Sequence, residues 1–172
     1  MELPGVGNPR TVRDLAALVQ TYNPKLVFLS ETRQSVEQMK RMRWRLGLKG
    51  CLARSSVGKS GGIALFWEES LRVDLITISN KLIDVQVQDD PSSLPWRITF
   101  IYGEPRVEDR HLTWETMKLR NEQYSLLAVM SELSTVRCDR VFGLWLQVHG
   151  RRVSTVSCRG GAVADGPCGG RR

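Results

Sequence analysis

The sequence predicts an α/β fold, a layered sandwich built on a largely antiparallel sheet. Three observations carry that expectation. Near the N-terminus an apolar pattern of helical spacing leads, through a proline, into a short apolar strand, as where helices pack on a sheet. From residue 50 onward that period gives way to short β-rich runs separated by Gly, Ser, Asn, Asp and Pro. The 172 residues are enough for one domain with a sizeable core.

The elements follow in order. Asn8 can cap a helix with Pro9 at its first position, and Val12, Leu15, Ala16, Val19 and Tyr22 then fall on one face. Pro24 closes it. Residues 25–30, Lys-Leu-Val-Phe-Leu-Ser, form a strand that stops abruptly at a carboxylate, Glu31. A second helix is expected over 35–46, with Val36, Met39 and Met42 on one side as core residues. Strands are expected over 50–55, 62–67, 71–79, 82–88 and 96–102. Ile83, Val85 and Val87 alternate with polar partners, as in a half-buried antiparallel strand. A helix returns over 107–119 and extends toward Leu133. There is no internal repeat.

Composition bounds the class. No run approaches the ~20 apolar residues of a membrane-spanning helix. The N-terminus lacks the basic region and apolar core of a secretory signal, so an intracellular, reducing setting is expected. Cys51, Cys138, Cys158 and Cys168 form no CxxC and suggest neither a zinc site nor a disulfide framework. The net charge of +7 is unevenly spread. Residues 1–136 carry 18 basic and 16 acidic groups, a net of +2; residues 137–172 carry seven arginines and two aspartates, a net of +5. The body is therefore read as 1–136 and the remainder as an Arg/Gly-rich tail. The tail's end has few bulky apolar residues to offset its ordering entropy, so it is expected to be disordered. It has no lysine and has the Arg, Gly and Cys bias of GC-rich DNA read in an unintended frame. A weak strand pattern lies over 140–148, and an Arg/Gly segment can also bind RNA or DNA.

The candidate chemistry is sparse. Ala53-Arg-Ser-Ser-Val-Gly58-Lys59-Ser60 matches a relaxed phosphate loop, which needs a helix starting at Lys-Ser. Two glycines and an apolar run follow instead, which favours a β-hairpin entering a buried strand. The turn carries Arg54 and Lys59, which would suit a polyanion. Glu31 stands at a sheet rim, where ligands and metals are commonly held, or is a strand-end Glu that pairs with Arg33 or is solvated. One carboxylate alone does not make a magnesium site. Tyr102 ends a strand at a rim, where it would donate to a phosphate oxygen or keep its hydroxyl in water. His111 lies among acidic residues at a helix start, His149 in the tail, and neither has a paired Asp.

Four blocks occur in order: Gly5-Val-Gly-Asn-Pro-Arg-Thr-Val-Arg-Asp-Leu15, Asn23-Pro-Lys-Leu-Val-Phe-Leu-Ser-Glu-Thr32, Gly58-Lys-Ser-Gly-Gly-Ile-Ala-Leu-Phe-Trp67 and Ile98-Thr-Phe-Ile-Tyr-Gly-Glu-Pro105. Together they resemble the endonuclease domain of plant LINE-type (non-LTR) retrotransposons, within the endonuclease/exonuclease/phosphatase superfamily, over residues 5–120. The resemblance implies a partial four-layered α/β sandwich, a nuclear setting, DNA as substrate and phosphodiester cleavage with Mg²⁺. Glu31 matches the family's metal-binding glutamate in Ser-Glu-Thr. Tyr102 matches its phosphate-contacting tyrosine in Tyr-Gly.

The departures from that pattern matter as much. The family's first strand ends in Trp-Asn-x-Arg-Gly; aligned on Gly5, its Asn position falls on Glu2, so that strand is expected to be missing. Gly-Asp-x-Asn and Ser-Asp-His, which supply the water-activating Asp and a histidine, have no match in 120–172. The expectation is a fragment of a Mg²⁺-dependent endonuclease, marginally folded and inactive as it stands. The alternatives are a nucleic-acid-binding remnant that uses Arg54, Lys59 and the tail, or a product without function.

Overall fold

The computed structural model describes residues 8–57 and 61–103, Glu108, His111 and Glu115, and the backbone of three later strands. In chain order the elements are α1 (Pro9–Tyr22), β1 (Leu26–Ser30), α2 (Val36–Arg45), β2 (Gly50–Arg54), β3 (Ile63–Trp67), β4 (Arg72–Ile78), β5 (Leu82–Gln88), β6 (Trp96–Tyr102), β7 (Leu127–Met130), β8 (Gly143–His149) and β9 (Arg152–Cys158).

Local chemistry sets the helix ends. The Asn8 side chain accepts from Arg10 N–H at 2.9 Å, with Pro9 in the first turn. Asn23 ends α1 in the left-handed region, φ 43°, a conformation asparagine tolerates, and donates its N–H to Val19 O. Ser35 and Gln38 close a reciprocal capping box on α2.

The strands form two sheets. The first runs β2-β3-β1-β8-β9 and the second β4-β5-β6-β7. Pairing is antiparallel except for β1–β8 and β6–β7. β1 lies at the centre of its sheet and every residue of it is buried, as in a strand covered on both faces. Val27 and Leu29 pack with Val12, Leu15, Val19, Met39 and Met42 of the two helices. Leu26 and Phe28 point the other way, into a core shared with Ile83, Val85, Val87, Ile98 and Phe100 of the second sheet. Helices, sheet and sheet are thus stacked in the α/β sandwich that the periodicity predicts. Of the helix expected over 107–119, Glu108 is in a 3-10 turn, His111 and Glu115 are α-helical, and the rest lies outside the described residues.

Two expectations are decided here. β2 and β3 pair as an antiparallel hairpin with Arg54 opposite Ile63, and Ile63 opens a strand. The helix that a phosphate loop needs is therefore not found from residue 61 onward, while Gly58, Lys59 and Ser60 lie outside the described residues. Within the Arg/Gly-rich segment the weak strand pattern forms β8 and a further strand, β9, follows it, so the first sheet draws on both sides of residue 137. The physical reason is that β1 offers an unpaired edge, which the apolar, β-rich run Gly-Leu-Trp-Leu-Gln-Val-His of β8 satisfies with backbone hydrogen bonds. β8 coincides with the weak pattern over 140–148; β9 had no such mark. Residues 159–172 lie outside the described residues.

Candidate functional site

The open end of the sandwich is defined by strand register. Ser30 pairs with Ile63, and Ile63 with Arg54, so Ser30 and Arg54 lie in one row across the first sheet. Glu31 follows directly. Facing it, Tyr102 closes β6 on the side of the second sheet that lines the shared core. Both residues are buried, Glu31 at 8% and Tyr102 at 7% exposure over the whole residue. The structure brings them together: the Tyr102 hydroxyl donates to Glu31 Oε1. The tyrosine hydroxyl is therefore bonded to the carboxylate and not left in water.

Glu31 is held from two further directions. Gly61 N–H lies 3.3 Å from each carboxylate oxygen, and Arg33 Nε donates to Oε2 at 3.3 Å. The backbone around it is unusual. Glu31 and Arg33 have φ of 56° and 52°, left-handed values that are uncommon for such residues. A glycine pair makes this possible. Thr32 N–H donates to Gly62 O and Arg33 N–H to Gly61 O, both at 3.1 Å. Gly61 and Gly62 have φ of 81° and 87°, and a Cβ on Gly62 would stand 2.5 Å from Thr32 Oγ1. The Gly-Gly doublet, legible in the sequence only as a turn, is thus the cradle of the rim carboxylate.

The donor set suits a hard cation in kind. Next to the Glu31 carboxylate in the chain, Ser30 Oγ and Thr32 Oγ1 are buried with no hydrogen-bond partner among the described residues. Carboxylate and hydroxyl oxygens are the ligands that Mg²⁺ takes, and it commonly uses one or two carboxylates with water and phosphate. No group of three or more His, Cys, Asp or Glu gathers among the described residues.

The remaining candidates are dispersed. Arg54 is exposed at the same rim, its Nε donating to Asn80 Oδ1 at 3.1 Å across to the β4–β5 turn. Lys59 and His149's side chain lie outside the described residues. His111 is exposed, with Nδ1 2.9 Å from Glu108 O. Sequence reasoning missed one polar cluster. Asp84, fully buried, accepts from Arg97 Nε at 2.9 Å and from Thr99 Oγ1 at 3.1 Å. Its signal was the register that sets Asp84 opposite Thr99, visible only once β5 and β6 are paired.

No family model and no curated protein matches the chain. Solved structures do. TDP2 from D. rerio, complexed with a single-strand DNA product, is 14% identical, with 80% of this chain and 52% of that one covered and a TM-score of 0.51. A functionally unknown conserved protein from Enterococcus faecalis is 13% identical, with coverages of 80% and 57% and a TM-score of 0.51. ANGEL2, a 2′,3′-cyclic phosphatase in complex with adenosine-2′,3′-vanadate, is 12% identical, with coverages of 84% and 47% and a TM-score of 0.50. The chain spans about half the length of the structures it matches. The likeness is one of fold: the chain shares the layered α/β sandwich of these structures.

Proposed function

We propose that the chain is a fragment of a magnesium-dependent phosphodiesterase, a DNA endonuclease of plant LINE retrotransposon origin. It carries the metal-and-phosphate end of the site and does not hydrolyse DNA as it stands. The observation that carries this reading is the Tyr102 hydroxyl bonded to the Glu31 carboxylate at the sheet rim. These are the two residues the sequence resemblance singles out, and they come from opposite sheets.

The roles follow from the geometry. Glu31, fixed by Gly61 and Arg33, would hold the ion. When bound, Mg²⁺ supplies charge that polarises a phosphate oxygen. Tyr102 gives its single proton to Glu31; once an ion took that carboxylate, the same O–H would turn to a non-bridging oxygen and stabilise charge growing on phosphorus. Arg54, in the same row, would take a neighbouring phosphate. The water-activating Asp and the histidine that the resemblance implies have no match in the sequence, and no group of three or more His, Cys, Asp or Glu gathers among the described residues. A missing general base costs on the order of 10²–10⁴-fold in rate.

The test is nicking of supercoiled plasmid in Mg²⁺ by the parent beside Glu31→Ala. Neither is expected to nick. Nicking by the parent that Glu31→Ala loses would overturn the inactive reading and keep the endonuclease one. A retained binding role is favoured by the position of Arg54 on the rim. Salt-dependent affinity for a single-stranded oligonucleotide should then fall with Arg54→Ala, and the salt slope should drop by about one. An unchanged slope would remove Arg54 from that role.

A further inference from the structure

Of the three groups described as donating to Glu31, Tyr102 and Gly61 are neutral and Arg33 alone is charged. Its position is built rather than incidental. The two backbone bonds to Gly61 and Gly62 fix Thr32 and Arg33, and the left-handed turns at Glu31 and Arg33 fold the guanidinium back onto the carboxylate two residues earlier. The Glu31 side chain is 10% exposed and that of Arg33 34%, so the contact is shielded on the acid's side and reachable on the base's.

Resting on the reading of Glu31 as a cation ligand, we propose that Arg33 is an internal competitor for the divalent cation. The guanidinium neutralises Glu31, occupies Oε2 and lowers the affinity of the rim for metal.

Two effects add. Oε2 has a lone pair committed to N–H, which a metal would have to displace. A unit positive charge at hydrogen-bond distance also opposes the arrival of a dication at the same carboxylate. Solvent screening at a one-third-exposed guanidinium tempers the repulsion, and the combined effect is on the order of tenfold in affinity. The rest of the cradle does not share this role. Gly61 N–H and Tyr102 O–H orient the carboxylate without adding net charge, so removing Arg33 leaves an oriented carboxylate behind.

The test is Mn²⁺ binding to the full chain, followed by the paramagnetic resonance signal of the free ion. The variants are Arg33→Asn, Arg33→Gln and Arg33→Lys, each with and without Glu31→Gln. Asparagine tolerates the left-handed backbone at this position, and glutamine removes the charge at similar length, so one variant covers for misfolding of the other. Asn and Gln should tighten Mn²⁺ binding about tenfold, Lys should stay near the parent, and Glu31→Gln should abolish the gain in every background. Affinity that is unchanged or weaker in both neutral variants overturns the proposal, as does a gain that survives Glu31→Gln or the absence of binding throughout. Failure of the parent reading would show differently, as no Mn²⁺ binding or as binding that Glu31→Gln leaves unchanged in the otherwise unaltered chain, whereas failure of the proposal alone would leave Glu31-dependent binding that neither neutral variant tightens.

Discussion

Phe28 of β1 and Phe100 of β6 stack with ring centroids 5.0 Å apart and planes 19° from parallel, and that contact sets the height of the rim. Two residues further along each strand, on the same face by the pleat, stand Ser30 and Tyr102. Both rings are fully buried. Truncation of Phe100 to alanine should cost about 3–5 kcal/mol, since the cavity lies between two sheets that cannot both collapse into it. Urea unfolding measures it. A loss below about 1 kcal/mol would mean that the rings do not join the sheets.

Tyr102→Phe tests the contact across the rim. It removes one donor from a buried carboxylate that keeps Gly61 and Arg33, so the cost should fall near the lower end of about 1–3 kcal/mol. In a Glu31→Gln background the same change should cost less. A double-mutant cycle by chemical denaturation gives the coupling, expected at about 1 kcal/mol. Strict additivity would separate the two residues.

The glycine cradle makes a contrasting pair. Gly61→Ala and Gly62→Ala both force a side chain into positive φ, at about 1–2 kcal/mol each. A Cβ at position 61 meets no atom of the described residues within 4 Å, whereas one at position 62 also meets Thr32 Oγ1 and the Ser56 and Arg33 backbone. Gly62→Ala should therefore lower the melting temperature further, by at least another ~1 kcal/mol of stability. Equal shifts would show strain alone.

Much of this fold is written locally, which is why its element order was legible. Asn8-Pro9, the Ser35–Gln38 box and Gly61-Gly62 each act within a few residues. What escaped was non-local. Parallel pairing of β1 with β8 joins segments more than a hundred residues apart and leaves no mark on either. β9 carries arginine, serine and cysteine in a stretch whose composition resembles a tail. Glu31 and Tyr102 are 71 residues apart, and no spacing rule links them; a resemblance of motifs did. Asp84 sat in an alternating strand whose polar residues are read as solvated, although its partners come from β6.

That buried cluster yields a fourth prediction. The Asp84 side chain is fully buried and that of Arg97 is 17% exposed. Asp84→Ala takes the carboxylate from a largely desolvated guanidinium and from Thr99, and should cost about 3–5 kcal/mol. Replacing both ends, Asp84→Leu with Arg97→Met, should recover most of that loss, because the desolvation cost disappears with the charges. Guanidinium chloride unfolding compares them. A double variant no better than Asp84→Ala would indicate that the pair specifies the packing of the second sheet.

Cys51 supplies the pH dependence. It lies on β2, packed against the helix-side core, and is a free thiol. Burial pushes its pKa up from 9.0 to about 11, and the nearby charges of Arg43 and Lys40 pull less strongly the other way. The sign follows from proton linkage. Between those values the folded chain keeps a proton that the unfolded chain has released, so stability falls as pH rises. The contribution is complete below pH 9 and is lost as pH rises through about 11. Iodoacetamide, which needs the thiolate, should label the Cys51 peptide far more slowly in native buffer at pH 8 than in urea, with the native rate climbing steeply toward the pKa. Peptide mass spectrometry separates this thiol from Cys138, Cys158 and Cys168. Cys51→Ala should flatten the alkaline fall in stability. Native labelling at pH 8 as fast as in urea would mean that β2 does not shield the thiol, and with it that α2 does not cover this edge of the sheet.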